Sequence, residues 1–140
     1  MRYRRGRHLM VAAALAGLGA CARERPAEAV QASAYDSRFT LEKDDGGTLP
    51  GIDRATSPEV YFRVTLSDAP VGRRLRLTCA WLDPQGSVAA ENAWETKTID
   101  RATWPTHCRH RFGPAAAAGT WKVSMAIGGQ TLATTSLEVR

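Results

Sequence analysis

Few side chains in this chain could carry chemistry. His107 and His110 flank Cys108 in the run His107-Cys108-Arg109-His110. A metal site wants three or four converging ligands. On an extended strand, residues three apart point to opposite faces, so these two imidazoles diverge and no metal site is expected. Gly86-Ser87 lacks the flanking glycine of a nucleophile elbow. There is no phosphate-binding glycine loop, no dinucleotide fingerprint and no recognisably spaced carboxylate pair. Asp44-Asp45-Gly46-Gly47 fits a turn better than any calcium loop. The expectation is a protein without catalytic residues or cofactor, and not an enzyme.

The sharper feature is basic. Period-two alternation places Arg74 and Arg76 on the outward face of one strand, and His107, Arg109 and Arg111 on the outward face of another. Brought side by side, with Trp94 nearby, these five would form a patch for an anionic glycan, a lipid headgroup or an acidic protein surface. The plainer alternative is a solvated strand face whose arginines discourage edge pairing.

The elements that must position these groups read as strands. Val60, Phe62, Val64 and Leu66 alternate with polar neighbours. Leu75, Leu77, Cys79 and Trp81 repeat the pattern, and Asp83-Pro84-Gln85-Gly86 supplies a turn. A returning strand over Ser87 to Ile99 carries Trp94. Thr106, Cys108, His110 and Phe112 form another inward set. Trp121, Val123, Met125 and Ile127 form the clearest one, followed by a Gly128-Gly129 hairpin and a last strand with Leu137 and Val139 inward. Arg38 to Leu41 is expected to be a first short strand. No helical apolar period runs through 38–140, so the expected class is all-β, an antiparallel sandwich.

The N-terminus is different. Arg2, Arg4, Arg5 and Arg7 precede an apolar run over Leu9–Ala20 that ends in small residues. This is the layout of a secretory signal peptide, and the run is shorter than the roughly 20 residues a membrane-spanning helix needs. The 140 residues carry 19 Lys+Arg against 14 Asp+Glu. Four of the arginines and none of the acids lie in the leader, so the remainder is close to neutral. Nucleic acid is therefore not an expected partner, because phosphate binding needs basic charge kept on the folded surface. In an exported protein Cys79 and Cys108 are expected to pair, both being inward on different strands. Closing a loop of about 30 residues is worth roughly 3–4 kcal/mol on the loop-entropy model.

Leu18-Gly19-Ala20-Cys21 resembles the lipobox of bacterial lipoproteins. The resemblance implies acylation of Cys21 with diacylglyceryl and palmitate-type chains, and cleavage before it. With Ala22 instead of Asp in the next position, it also implies an outer-membrane anchor facing the periplasm. The expected organisation is a signal peptide over 1–20, a flexible tether over 21–37 and the sandwich over 38–140. A second resemblance rests on Trp81-Leu82-Asp83-Pro84-Gln85-Gly86, Gly119-Thr120-Trp121-Lys122-Val123, Gly128-Gly129 and Leu137-Glu138-Val139. These look like bacterial immunoglobulin-like β-sandwich modules. The cysteines depart from the antibody pattern, being closely spaced with Trp81 beside the first. The resemblance implies a fold and a binding or spacer role. The functional expectation is a membrane-anchored envelope lipoprotein acting as a binding module for an envelope protein or anionic glycan. The alternatives are an accessory subunit of an envelope complex and an inhibitor of an envelope hydrolase. The last resembles the membrane-bound lysozyme inhibitors in size and anchoring, but their Ser-Gly loop motif is missing.

Overall fold

A computed structural model describes residues 32–140. The expected signal peptide over 1–20, Cys21 and the expected tether as far as residue 31 lie outside the described residues. Eight strands follow in order: β1 (Ala34–Thr40), β2 (Gly51–Ile52), β3 (Glu59–Leu66), β4 (Arg76–Leu82), β5 (Val88–Glu95), β6 (Trp104–Arg111), β7 (Gly119–Ile127) and β8 (Gln130–Val139). A single 3-10 turn at Arg54–Thr56 is capped by Asp53, whose carboxylate accepts from the Ala55 N–H at 2.9 Å.

Two sheets form, β1-β3-β6 and β2-β8-β7-β4-β5. The alternation seen in the sequence sets their inner faces. Val60, Phe62, Val64 and Leu66 of β3 are buried, as are Leu77, Cys79 and Trp81 of β4. Trp121, Val123 and Met125 of β7 and Leu137 and Val139 of β8 complete the opposing layer. The architecture is the expected immunoglobulin-like β-sandwich. One pairing is parallel: β2 lies along the end of β8, with Gly51 opposite Glu138.

An aromatic seam fills the space between the sheets. Phe39 and Phe62 have ring centroids 5.1 Å apart, and Trp81 and Phe112 stand edge to face at 6.0 Å. Phe112 meets Trp121 at 4.9 Å. The buried indoles keep polar partners: Trp81 Nε1 donates to Asn92 Oδ1 at 3.1 Å, and Trp121 Nε1 to the Ala117 carbonyl at 2.8 Å. Such pairing offsets the cost of burying an N–H. Cys79 and Cys108 are bonded, with Cα atoms 6.4 Å apart. They tie β4 in one sheet to β6 in the other, straight through the core.

Two boundaries differ from the sequence reading. β1 starts at Ala34, four residues before Arg38, so the tether does not extend to Ser37. Ala34 packs on the core and the Ser37 hydroxyl hydrogen-bonds that of Thr135 at 3.1 Å. Ala-Tyr-Asp-Ser carries no apolar alternation, so only its neighbours make it a strand. The returning strand also stops at Glu95, and Ile99 is buried from an irregular segment.

Candidate binding face

The disulfide decides where the basic residues go. β4 and β6 face each other across the core, so their outward sides look in opposite directions. Arg74 and Arg76 therefore do not share a patch with His107, Arg109 and Arg111. Arg74 instead bonds Glu95 at 3.2 Å, beside Arg76, which is in register with the same Glu95. Trp94 turns inward and belongs to neither basic group. It pairs with Leu77 and packs half-buried against the core. A bridge between inward faces suggests adjacent strands, whereas this one spans two sheets.

The true neighbours of β6 are β3 and, beyond it, β1. Register places Arg38, Arg63 and His107 in one row across the outer face of this three-stranded sheet. The next row holds Thr40, Tyr61 and Arg109, and Glu59 lies opposite Arg111. Tyr61 sits in the middle. The Arg63 guanidinium lies 5.0 Å from its ring centroid and the His107 ring 5.3 Å away. Arg109 Nη1 donates to the Tyr61 hydroxyl at 3.4 Å.

Carboxylates hold the guanidiniums in place. Arg38 Nη2 donates to Asp44 Oδ2 at 2.7 Å, and Arg63 Nε stands 3.8 Å from the same oxygen. Arg63 also donates to Thr40 Oγ1 at 2.7 Å and to the Glu42 carbonyl at 3.0 Å. Glu59 receives both Arg109, at 3.2 Å, and Arg111, at 2.9 Å. The Gly46 N–H bonded to Asp44, and after it the Arg38 charge, hold the Asp44 carboxyl below the usual carboxylate range. Burial, with Arg63 and Arg109 close by, pushes His107 below the usual histidine value and keeps it neutral near pH 7. Arg109 is pushed the other way by its bond to Tyr61 and the Glu59 charge.

A shallow depression of ≈ 230 Å³ opens on this face, lined by Arg38, Asp44, Arg63, Pro105, Thr106 and His107. A second one of ≈ 210 Å³ lies between the end of β1 and the loop after it, and offers mainly apolar and backbone atoms beside Lys43 and Asp45. The first holds the charged side chains of Arg38, Asp44 and Arg63. Guanidinium forks fixed in advance suit carboxylate, sulfate or phosphate oxygens.

His110 faces the opposite way from His107. It sits half-buried among Trp81 at 5.4 Å, Phe112 at 4.8 Å and Trp121 at 6.0 Å, and this burial lowers its pKa. Among the described residues no three His, Cys, Asp or Glu side chains group as metal ligands would. Arg38, Arg63, Tyr61 and Glu59 were missed as site residues. Tyr61 and Arg63 were legible as outward on β3, but nothing in the sequence said that β3 lies beside β6.

No protein-family profile matches this sequence, and no curated protein does. Solved structures do match its fold. An immunoglobulin-like protein from Pseudomonas aeruginosa superposes with a TM-score of 0.56 at 16% identity, covering 81% of this chain and 100% of that one. The alkylpurine DNA glycosylase AlkC of Pseudomonas fluorescens, solved bound to DNA containing an abasic-site analog, matches with a TM-score of 0.54 at 16% identity. That likeness covers 78% of this chain but 30% of the glycosylase. Similarity at this identity establishes the immunoglobulin-like fold alone.

Proposed function

We propose that this protein is a membrane-anchored envelope lipoprotein whose sandwich is a non-catalytic binding module. Its docking face is the outer side of β1-β3-β6, and its partner is an acidic protein surface or an anionic glycan of the envelope. One observation carries the reading: Arg38, Arg63 and His107 converge in a single cross-strand row around a depression, with Arg109 and Arg111 alongside. The lipobox-like Leu18-Gly19-Ala20-Cys21 supports the anchor. From Cys21 to Ala32 even a fully extended chain reaches only about 40 Å, at ~3.3–3.6 Å per residue, so an anchored sandwich would work close to the bilayer.

An incoming anion competes with Asp44 and Glu59 for guanidiniums already in position, and little side-chain ordering remains to be done. Burial is the larger cause of the lowered His107 pKa, but the ligand's charge opposes the push of Arg63 and Arg109 and so favours the protonated imidazole in the complex. Affinity then rises as pH falls through the usual histidine range.

The test is titration with a sulfated polysaccharide and with a polyglutamate peptide. Arg63→Ala with Arg109→Ala should weaken binding at least tenfold, while Arg74→Ala with Arg76→Ala should leave it unchanged. Equal losses from both double variants would sink the assignment of this face. Globomycin-sensitive processing, with the mass shift of an acylated Cys21, tests the anchor separately, and unmodified mature protein in the culture medium would overturn it.

A further inference from the structure

We propose that two copies of this chain associate edge to edge through β5, antiparallel, about a two-fold axis at Asn92. Open strand edges invite pairing with another chain, and proteins normally guard them. Three of the four edges are guarded. β1 is broken by a register shift between Ala34 and Asp36. β6 begins with Trp104-Pro105 and carries two arginines and two histidines. β2 is two residues long. β5 offers the longest regular run: a register shift sets off Val88-Ala89 at its start, but Ala90-Glu91-Asn92-Ala93-Trp94-Glu95 pairs with β4 without interruption and holds no proline, glycine, lysine or arginine. Among the described residues its only strand partner is β4.

The phase of its free hydrogen-bonding groups follows from one bond. The Thr96 N–H donates to the Leu75 carbonyl at 2.9 Å, in the same register as Leu77–Trp94 and Cys79–Asn92. Antiparallel ladders alternate, so along the regular stretch Ala90, Asn92 and Trp94 spend their main-chain groups on β4, while those of Glu91, Ala93 and Glu95 point to the open side. A second β5 must meet those odd-numbered residues with its own.

Three central registers satisfy that condition. One sets Glu91 opposite Glu91 of the second copy, and another sets Glu91 opposite its Glu95. Both put like charges directly across from each other, which is destabilising. The third sets Glu91 opposite Ala93, so no like charges meet. The same register sets Trp94 opposite Ala90 on the inner layer, large against small, with Asn92 facing its own copy. Glu95 is already paired with Arg74, which reduces the negative charge along the seam. The edge is thus complementary to itself in charge and in size, and this selects a second copy as the occupant.

Sedimentation equilibrium of the full chain in density-matched detergent tests the pairing. A concentration-dependent dimer is expected. Ala93→Glu, which meets Glu91 twice by symmetry, should weaken association about tenfold, and Ala93→Lys should tighten it several-fold. Ala93→Pro removes an outward N–H without touching the β4 ladder and should give a monomer with an unchanged near-ultraviolet spectrum. If that variant fails to fold, the Glu and Lys variants still decide. A chain that is monomeric at every concentration, leaving the edge to a foreign strand, overturns the proposal. So does a dimer on which Glu and Lys at position 93 act alike.

Discussion

The two outer faces of this sandwich are built from different materials. The face of β1-β3-β6 carries Arg38, Arg63, Arg109 and Arg111 around Tyr61, held by Asp44 and Glu59. The face of the wider sheet mixes small hydroxyls with scattered charges of both signs, Arg76, Glu91, Glu95, Lys122 and Glu138. There Ser124 bonds Thr134 at 2.9 Å and Thr120 bonds Glu138, between strands whose registered neighbours include Lys122 and Ser136. Short hydroxyl side chains satisfy one another and the water above them. They offer a ligand little that water does not. Long guanidiniums locked over an aromatic ring offer fixed charge and direction. The narrower sheet therefore carries the groups suited to an anion, and the wider one supplies most of the core wall behind it.

The strongest way to break that contrast is to uncouple the sheets. Cys79→Ser with Cys108→Ser removes the one disulfide that cross-links them among the described residues. It should cost roughly 3–4 kcal/mol on the loop-entropy model. Denaturant unfolding measures it, and a change below 1 kcal/mol would mean that the aromatic seam alone sets the spacing of the faces.

Gly119 is next. It starts β7 at φ +131°, and an added Cβ would lie 2.9 Å from Pro84 Cγ. Gly119→Ala should destabilise the protein by about 1–3 kcal/mol through strain and overlap at the end of the wide sheet. Anion binding by the other face should survive at temperatures where the variant is folded. Thermal unfolding alongside titration separates the two effects.

The histidines sharpen the comparison by pH. Burial lowers the His110 pKa in the fold, whereas the unfolded chain titrates near the ordinary value of about 6.5. Below that value the unfolded state binds the extra proton, so stability falls as pH drops. His110→Phe should flatten this acid-side loss, as read from urea midpoints at pH 7 and pH 5. His107→Asn should act chiefly on ligand affinity, removing its rise at low pH. A reversal of those roles would overturn their assignment to the core and the face.

The smallest effect concerns Glu59. Glu59→Gln should change stability by less than about 1 kcal/mol, as exposed ion pairs generally do. It should nevertheless strengthen anion binding by releasing Arg109 and Arg111. Unchanged affinity would show that those two guanidiniums stand outside the site.

Much of the frame was legible because a half-buried strand repeats every two residues. Val60 to Leu66 and Trp121 to Ile127 could be assigned a face from the chain alone. The pairing of Cys79 with Cys108 followed from compartment and inward position. The candidate site was only half legible. His107, Arg109 and Arg111 were recognised as outward, but Arg74 and Arg76 were grouped with them and Arg38 and Arg63 were not. Alternation tells which way a side chain points relative to its own strand, and carries no information about which strand lies alongside.

By itself, then, the order of residues determined the two-sided character of each strand, the turns at Asp83–Gly86 and Gly128-Gly129, and the residues available for the core. Local sterics and hydrophobic period act within a few residues and need no distant partner. Tertiary structure alone decided that β3 stands between β1 and β6, that the disulfide crosses the sandwich, and which arginines share a face. Those outcomes depend on how whole sheets stack to bury Trp81, Phe112 and Trp121 together, a free energy that belongs to no single segment.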